Sequence, residues 1–175
     1  MVIVSKVLRQ HYGAKPLPVN PRKLNAQLNA MLRVIGAPGR RWDAGLLLTD
    51  DKHIQFMNKK YRHKDKPTDI LSFPNYTIQT PGVLPGVRGQ DARYLGDMFL
   101  SLPYIESYCL HNDTTLDERM PILVAHGLCH LMGYDHENDD DFAVMSAAED
   151  ALLERYVKHV PSMYQDKKIT DNDAA

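Results

Sequence analysis

The chain has 175 residues, of which 43% are hydrophobic and 25% charged, with a formal net charge of −1. That is the composition of one ordinary globular domain, and it excludes wholesale disorder, collagen-like repeats and a disulfide scaffold. No run approaches the roughly 20 apolar residues of a spanning helix, so a membrane partner is not expected. The two cysteines, Cys109 and Cys129, point to a reducing compartment.

In chain order, Met1–Val4 reads as a short strand. Asn20-Pro21 is a helix start, a capping residue followed by proline in the first turn. Leu24, Leu28, Met31, Leu32 and Ile35 then follow the helical period, and Gly36 is a plausible stop. Residues 1–42 carry eight Lys/Arg and no acid, leaving 13 basic and all 22 acidic groups for the rest of the chain. A basic, acid-poor start fits either a targeting segment or a polyanion-facing end, but so regular an apolar stripe favours a helix of the folded domain. Ala44–Leu48 reads as a buried strand, Thr49-Asp50-Asp51 as a turn and cap, and 52–62 as a helix with Ile54, Met57 and Tyr61 on its apolar side. Ile70–Phe73, between Pro67 and Pro74, is a third strand. Residues 77–94 hold Pro81, Gly82, Pro85, Gly86 and Gly89 and read as a long, mobile surface loop. Met98–Leu100 gives a fourth strand, with a short helix after Pro103. Thr115 and Glu118 have capping-box spacing for a helix to about Met132, stopped by Gly133. A last helix is expected from about Asp140 to His159, closed by Pro161. The domain is therefore placed at 1–160, with a polar tail over 161–175.

The chemistry concentrates in His126, His130 and His136. The first two, four apart on a helix, share one face. Gly133 permits a sharp turn that returns the third. The run H-x-x-x-H-x-x-G-x-x-H has the spacing of the extended zinc-protease motif. Three imidazole nitrogens leave the fourth position of a tetrahedral zinc site open, as catalytic sites do. Cys129, beside His130, is either a fourth ligand or a small buried apolar residue, and the second fits better. Zinc proteases carry their general base, a glutamate, directly after the first histidine, where this chain has Gly127. That argues against proteolysis. Phosphodiester chemistry stays open, because zinc itself activates water and an RNA substrate brings its own 2′-hydroxyl.

A second cluster, Lys59–Lys66, packs five Lys/Arg into eight residues and leads into the Ile70 strand, so its end is anchored to the sheet. Arg62 there suits bidentate capture of a phosphate. Glu149 falls on the apolar stripe of the last helix, where a carboxylate needs a partner; it either reaches water or orients a metal-bound histidine. Asp97 is a turn residue or a site residue.

These residues resemble the YbeY family, the metal-dependent endoribonucleases of ribosomal RNA maturation. His126-Gly127-Leu128-Cys129-His130-Leu131-Met132-Gly133-Tyr134-Asp135-His136 matches the family signature. Tyr61-Arg62, Asp65 and Pro67-Thr68-Asp69-Ile70-Leu71-Ser72-Phe73-Pro74 match a second block. Leu48-Thr49-Asp50-Asp51 with Ile54 and Asn58, then Leu95-Gly96-Asp97, and then Met145 with Glu149 extend the likeness over roughly residues 45 to 150. Cys129 departs from the aliphatic residue usual in bacterial members and looks like the eukaryotic ones. The 77–94 loop is longer than a compact bacterial version, and the region before residue 42 gives little to align.

The resemblance implies an α+β fold, a small mixed sheet of about four strands with helices packed around it. It implies one zinc ion on His126, His130 and His136, and Arg62 as the cation at the scissile phosphate. The implied substrate is single-stranded ribosomal RNA at or near the small ribosomal subunit, in the cytoplasm or, for a eukaryotic source, a mitochondrion or plastid. Two alternatives carry different chemistry: a metallohydrolase of another substrate, and a non-catalytic ribosome assembly factor whose metal is structural.

Overall fold

Short side-chain caps set where the helices begin. In the computed structural model, which describes residues 1–36 and 39–165, the Asn20 side chain accepts from the Arg22 and Lys23 amides and Pro21 opens α2 (Pro21–Val34). Asp50 accepts from the His53 amide at the start of α3 (Asp51–Arg62). Four strands, β1 (Val2–Val4), β2 (Asp43–Thr49), β3 (Ile70–Pro74) and β4 (Tyr94–Ser101), form one sheet in the order β1-β2-β4-β3. β2 pairs in parallel with both β1 and β4, whereas β3 is antiparallel to β4 and forms an edge. This is the mixed sheet of the expected α+β fold. The remaining helices are α1 (Lys6–Tyr12), α4 (Leu102–His111), α5 (Leu116–Leu131) and α6 (Asp139–Gln165).

Strand alternation sorts the residues of β4 between two layers. Met98 points at Gly127 of α5. Phe99 points the other way, edge-on to Phe73 and to His53 of α3, with Tyr61 of α3 edge-on to Phe73. Leu24, Leu28, Met31 and Leu32 of α2 are buried together with Leu46, Leu48, Leu100, Leu123, Val124, Leu128 and Leu131. α6 packs against both α2 and α5, adding Met145 and Leu152 to the same core. Thus α2, the basic helix near the start of the chain, is part of the fold. No helix among the described residues is long and apolar enough to cross a membrane.

Several boundaries differ from the sequence reading. α1 is an additional helix, capped by Ser5 and burying only Leu8; seven residues carry too little periodicity to register. β4 begins at Tyr94, four residues before Met98, because Gly96 at φ 137 lets the strand bulge past β2 and continue. α6 runs through Pro161 to Gln165, since a proline removes one amide donor from a helix without obliging it to stop. Pro121 inside α5 makes the same point. Residues 166–175 of the expected tail lie outside the described residues. The segment between β3 and β4 is irregular, as expected, yet it is tied down rather than loose. The Asn75 amide donates to the Leu95 carbonyl at 2.8 Å, and the Gly82 amide to the Met132 carbonyl at 3.0 Å. The Tyr76 hydroxyl donates to the Ala92 carbonyl, and its ring meets Trp42 edge-on.

Candidate metal centre

α5 owes its start to a complete capping box. Thr115 accepts from the Glu118 amide, and the Glu118 carboxylate accepts from the Thr115 amide. The helix then lies close on the sheet. A Cβ built on Gly127 would stand 2.5 Å from Met98 Sδ and 2.7 Å from Ile70 Cδ1, and one on Gly96 would stand 3.1 Å from Leu131 Cδ2. Gly127 therefore rides over β3 and β4, with Leu131 on the β4 side. At 100° per residue His126 and His130 fall on the opposite flank, toward the free edge of β3.

The helix ends at Gly133, φ 86, a left-handed conformation that glycine adopts without strain. The Gly133 amide donates to the His130 carbonyl at 3.0 Å and the Tyr134 amide to the Cys129 carbonyl at 3.1 Å. The reversal brings His136 back to the helix. Its ring centroid is 5.4 Å from that of His126 and 5.0 Å from that of His130, and those two are 4.6 Å apart. One nitrogen from each of the three lies within 4.8 Å of the others.

Hydrogen bonds fix which nitrogens face inward. His126 Nδ1 lies 2.8 Å from Glu149 Oε1, and His130 Nδ1 lies 3.1 Å from the Tyr134 carbonyl oxygen. Both partners are acceptors, so each ring donates through Nδ1–H. In the neutral rings Nε2 is then bare on both, and these two atoms sit 3.1 Å apart. Two lone pairs facing each other at that distance can share one cation. Two nitrogens on one tetrahedral zinc, each bonded at about 2.0–2.1 Å, lie about 3.3 Å apart, so the donor set fits such an ion. Burial, followed by the charges of His126 and His136, depresses the pKa of His130 to about 4. Its lone pair is therefore free at neutral pH.

The other predicted residues divide. Glu149 is brought to the triad, where its carboxylate accepts from His126 and does not reach out to water alone. Cys129 does not; it is fully buried, and burial, then the charge of Glu149, pushes its thiol up to about 12. Arg62, at the end of α3, donates from Nη2 to the Ser72 carbonyl at 3.1 Å. The Asp69 carbonyl and the Asn75 amide bond to β4, so by alternation the polar groups of Ser72 face the free edge. Arg62 is thereby anchored on the same edge of β3 that the histidines flank. Part of the basic run is used internally: Lys59 pairs with Asp65 at 2.6 Å, and the Lys66 main-chain carbonyl accepts from Asn58 Nδ2 at 2.8 Å. Asp97 is not brought to the centre. It sits one residue from Met98 and so on the other face, accepting from the Tyr94 hydroxyl at 2.5 Å. The Tyr134 carbonyl went unforeseen, because a main-chain acceptor has no residue signature.

A helix-borne histidine pair, a glycine turn and a returning third histidine, set beside a sheet edge, define a protein of α+β fold whose three clustered imidazoles could hold a metal ion. The family model described as endoribonuclease YbeY matches residues 19–157. The human endoribonuclease YbeY is 33% identical over 138 residues, 79% of this chain and 81% of that protein. Its counterpart in Sulfurihydrogenibium is 39% identical over 115 residues, 65% of this chain and 69% of the relative. The chain belongs to the YbeY endoribonuclease family. In fold it is similar to the solution structure of TM1509 from Thermotoga maritima, with a TM-score of 0.53 and 20% identity over 93% of each chain.

Proposed function

We propose that this chain is a zinc-dependent endoribonuclease specific for single-stranded RNA, acting in ribosomal RNA maturation at the small ribosomal subunit. The observation that carries the reading is the pair of bare Nε2 atoms 3.1 Å apart, with His136 close by, on the flank of α5 that faces the Arg62-bearing edge of β3. His126, His130 and His136 would hold the ion. Zinc bound there supplies Lewis acidity for phosphodiester cleavage.

The chain's own groups do the rest. Glu149 and the Tyr134 carbonyl keep the Nδ1 protons in place, so that both rings present Nε2 inward. Arg62 offers a planar pair of donors to a phosphate and offsets the negative charge that grows as the bond to the leaving oxygen breaks. Its bond to the Ser72 carbonyl aims the guanidinium along the strand edge and leaves other N–H groups for the substrate. Gly127, where a peptidase carries glutamate, supplies no carboxylate, and this favours a substrate with an internal nucleophile. The 2′-hydroxyl of RNA is such a group; its oxygen would attack the adjacent phosphorus as the 5′-oxygen departs with a proton.

Metal analysis and an RNA cleavage assay on one preparation, before and after chelation, test the reading. Zinc near one equivalent per chain, with cleavage lost on chelation and restored by zinc, is expected. Cleavage that persists in chelated, metal-free protein, or casein hydrolysis without RNA cleavage, would overturn it.

A further inference from the structure

The segment Ile78–Gly82 belongs to the irregular stretch after β3, yet it closes directly over the turn that ends α5. A methyl group built on Gly133 would stand 2.7 Å from Ile78 Cβ and 2.9 Å from its Cγ2. The isoleucine therefore lies against the backbone of that turn. Four residues on, the Gly82 amide donates to the Met132 carbonyl at 3.0 Å. Gly82 has φ 78, and any side chain there would run into the Tyr134 hydroxyl and stand 3.2 Å from its Cζ. Ile78 and Gly82 thus hold the residues Met132–Tyr134 from outside, at one van der Waals contact, one hydrogen bond and one ring contact.

That turn has two duties in the metal centre. It presents the Tyr134 carbonyl to His130 Nδ1, and it directs the chain to His136. From the helix side it is fastened only as far as Tyr134, through the Cys129 and His130 carbonyls. Beyond that point the backbone bond at His136 is made to the side chain of its neighbour, Asp135, and His136 is exposed.

We infer that Ile78 and Gly82 are positioning residues for the metal centre, holding the turn so that the His130 tautomer and the return of His136 are set before the ion arrives. The inference rests on the metal-centre reading above. Ordering a loose turn on binding costs affinity, and an element that orders it beforehand restores that affinity. Groups that orient ligands in this way typically change metal affinity by about 10–100-fold.

The test uses the full chain, freed of metal, titrated with cobalt(II) and followed by its visible absorption, beside thermal unfolding of the same metal-free samples. Ile78→Ala should bind cobalt about 10-fold or more weakly. Ile78→Val should recover most of the affinity. Val83→Ala, on an exposed neighbour in the same loop, should match the parent. The ¹⁵N signals of the His130 ring should show a single Nδ1–H tautomer in the metal-free parent and a mixture in Ile78→Ala. A role confined to stability would lower the unfolding temperature and leave cobalt affinity and the tautomer unchanged; that result overturns the inference. A parent chain that binds no cobalt sinks the metal-centre reading itself, and this inference with it.

Discussion

His126 and Glu149 meet across the α5–α6 contact, Nδ1–H donating to Oε1 at 2.8 Å, with both side chains about three-quarters buried, at 26% and 21% exposure. One carboxylate on a neighbouring helix thereby decides which nitrogen of a helical histidine faces the other imidazoles. It also answers how a charged group can sit on the apolar stripe of α6. Glu149 is paired, and its partner is one of the three clustered histidines.

Removing that carboxylate should weaken metal binding without moving a ligand along the chain. Glu149→Ala is expected to lower zinc affinity about 10–100-fold in a chelator competition. Glu149→Gln keeps an oxygen that can accept the Nδ1 proton and should lose less. Equal affinities for parent, Ala and Gln would show that the bond to His126 does not tune the centre.

Arg62 is tied to the main chain of β3 and not to any histidine, so its loss should separate chemistry from metal content. Arg62→Glu is expected to retain one metal per chain and to lose RNA cleavage by about 10²-fold or more, the scale of losing one transition-state donor. Arg62→Lys keeps the charge but not the planar pair of donors, and should fall between. An Arg62→Glu enzyme that cuts RNA at the parental rate would remove the arginine from the mechanism.

Cys129 stands beside His130 but lies in the core, outside the histidine cluster. Its burial, with Glu149's charge second, keeps the thiol protonated up to about 12. A thiol reagent at pH 8 should therefore leave Cys129 unmodified in the folded chain and reach it on addition of denaturant. Because the folded value lies above the ordinary thiol value, the stability linked to this group is full below the ordinary thiol range. It is lost as pH climbs from there toward about 12. Prompt labelling of Cys129 in the native, metal-loaded protein at pH 8 would contradict its placement in the core.

The triad could be read from the sequence because its geometry is local. Four residues on a helix fix the relation of His126 to His130, and a glycine three residues later reports where the chain can turn. Glu149 was visible as an anomaly, an acid on an apolar stripe, although only the packing of α6 on α5 reveals what it meets. Arg62 was visible through the anchoring of its basic run to the next strand. The failures are of a different kind. Asp97 and Met98 are adjacent in sequence and point to opposite faces of β4, and which face α5 covers depends on β3–β4 pairing and on the bulge at Gly96. The pairing leaves no mark on residue type, and the glycine that permits the bulge does not say which face it re-aims. The hold of Ile78 and Gly82 on the α5 turn was hidden for the same reason, since a segment rich in proline and glycine reads as a free loop until its tertiary partners are known.

Gly127 gives the last prediction, because its identity has a steric cause as well as a chemical one. In zinc peptidases the residue after the first histidine is the glutamate that acts as general base. Here that position is pressed against Met98 and Ile70, at 2.5 and 2.7 Å from where a Cβ would be. Installing the glutamate should not create a peptidase. Gly127→Glu would have to lift α5 off the sheet or drive a carboxylate between Ile70 and Met98, and either outcome overpacks a close-fitting layer and buries a charge. Overpacking alone costs about 1–3 kcal/mol, and in a chain of this length each kcal/mol lowers the unfolding temperature by about 2–4 °C. The better helix propensity of glutamate over glycine returns less than about 1 kcal/mol. The variant should therefore melt well below the parent, with weakened metal binding and no activity on casein. A Gly127→Glu protein with parental stability and casein hydrolysis would mean that α5 sits further from β3 and β4 than these contacts require.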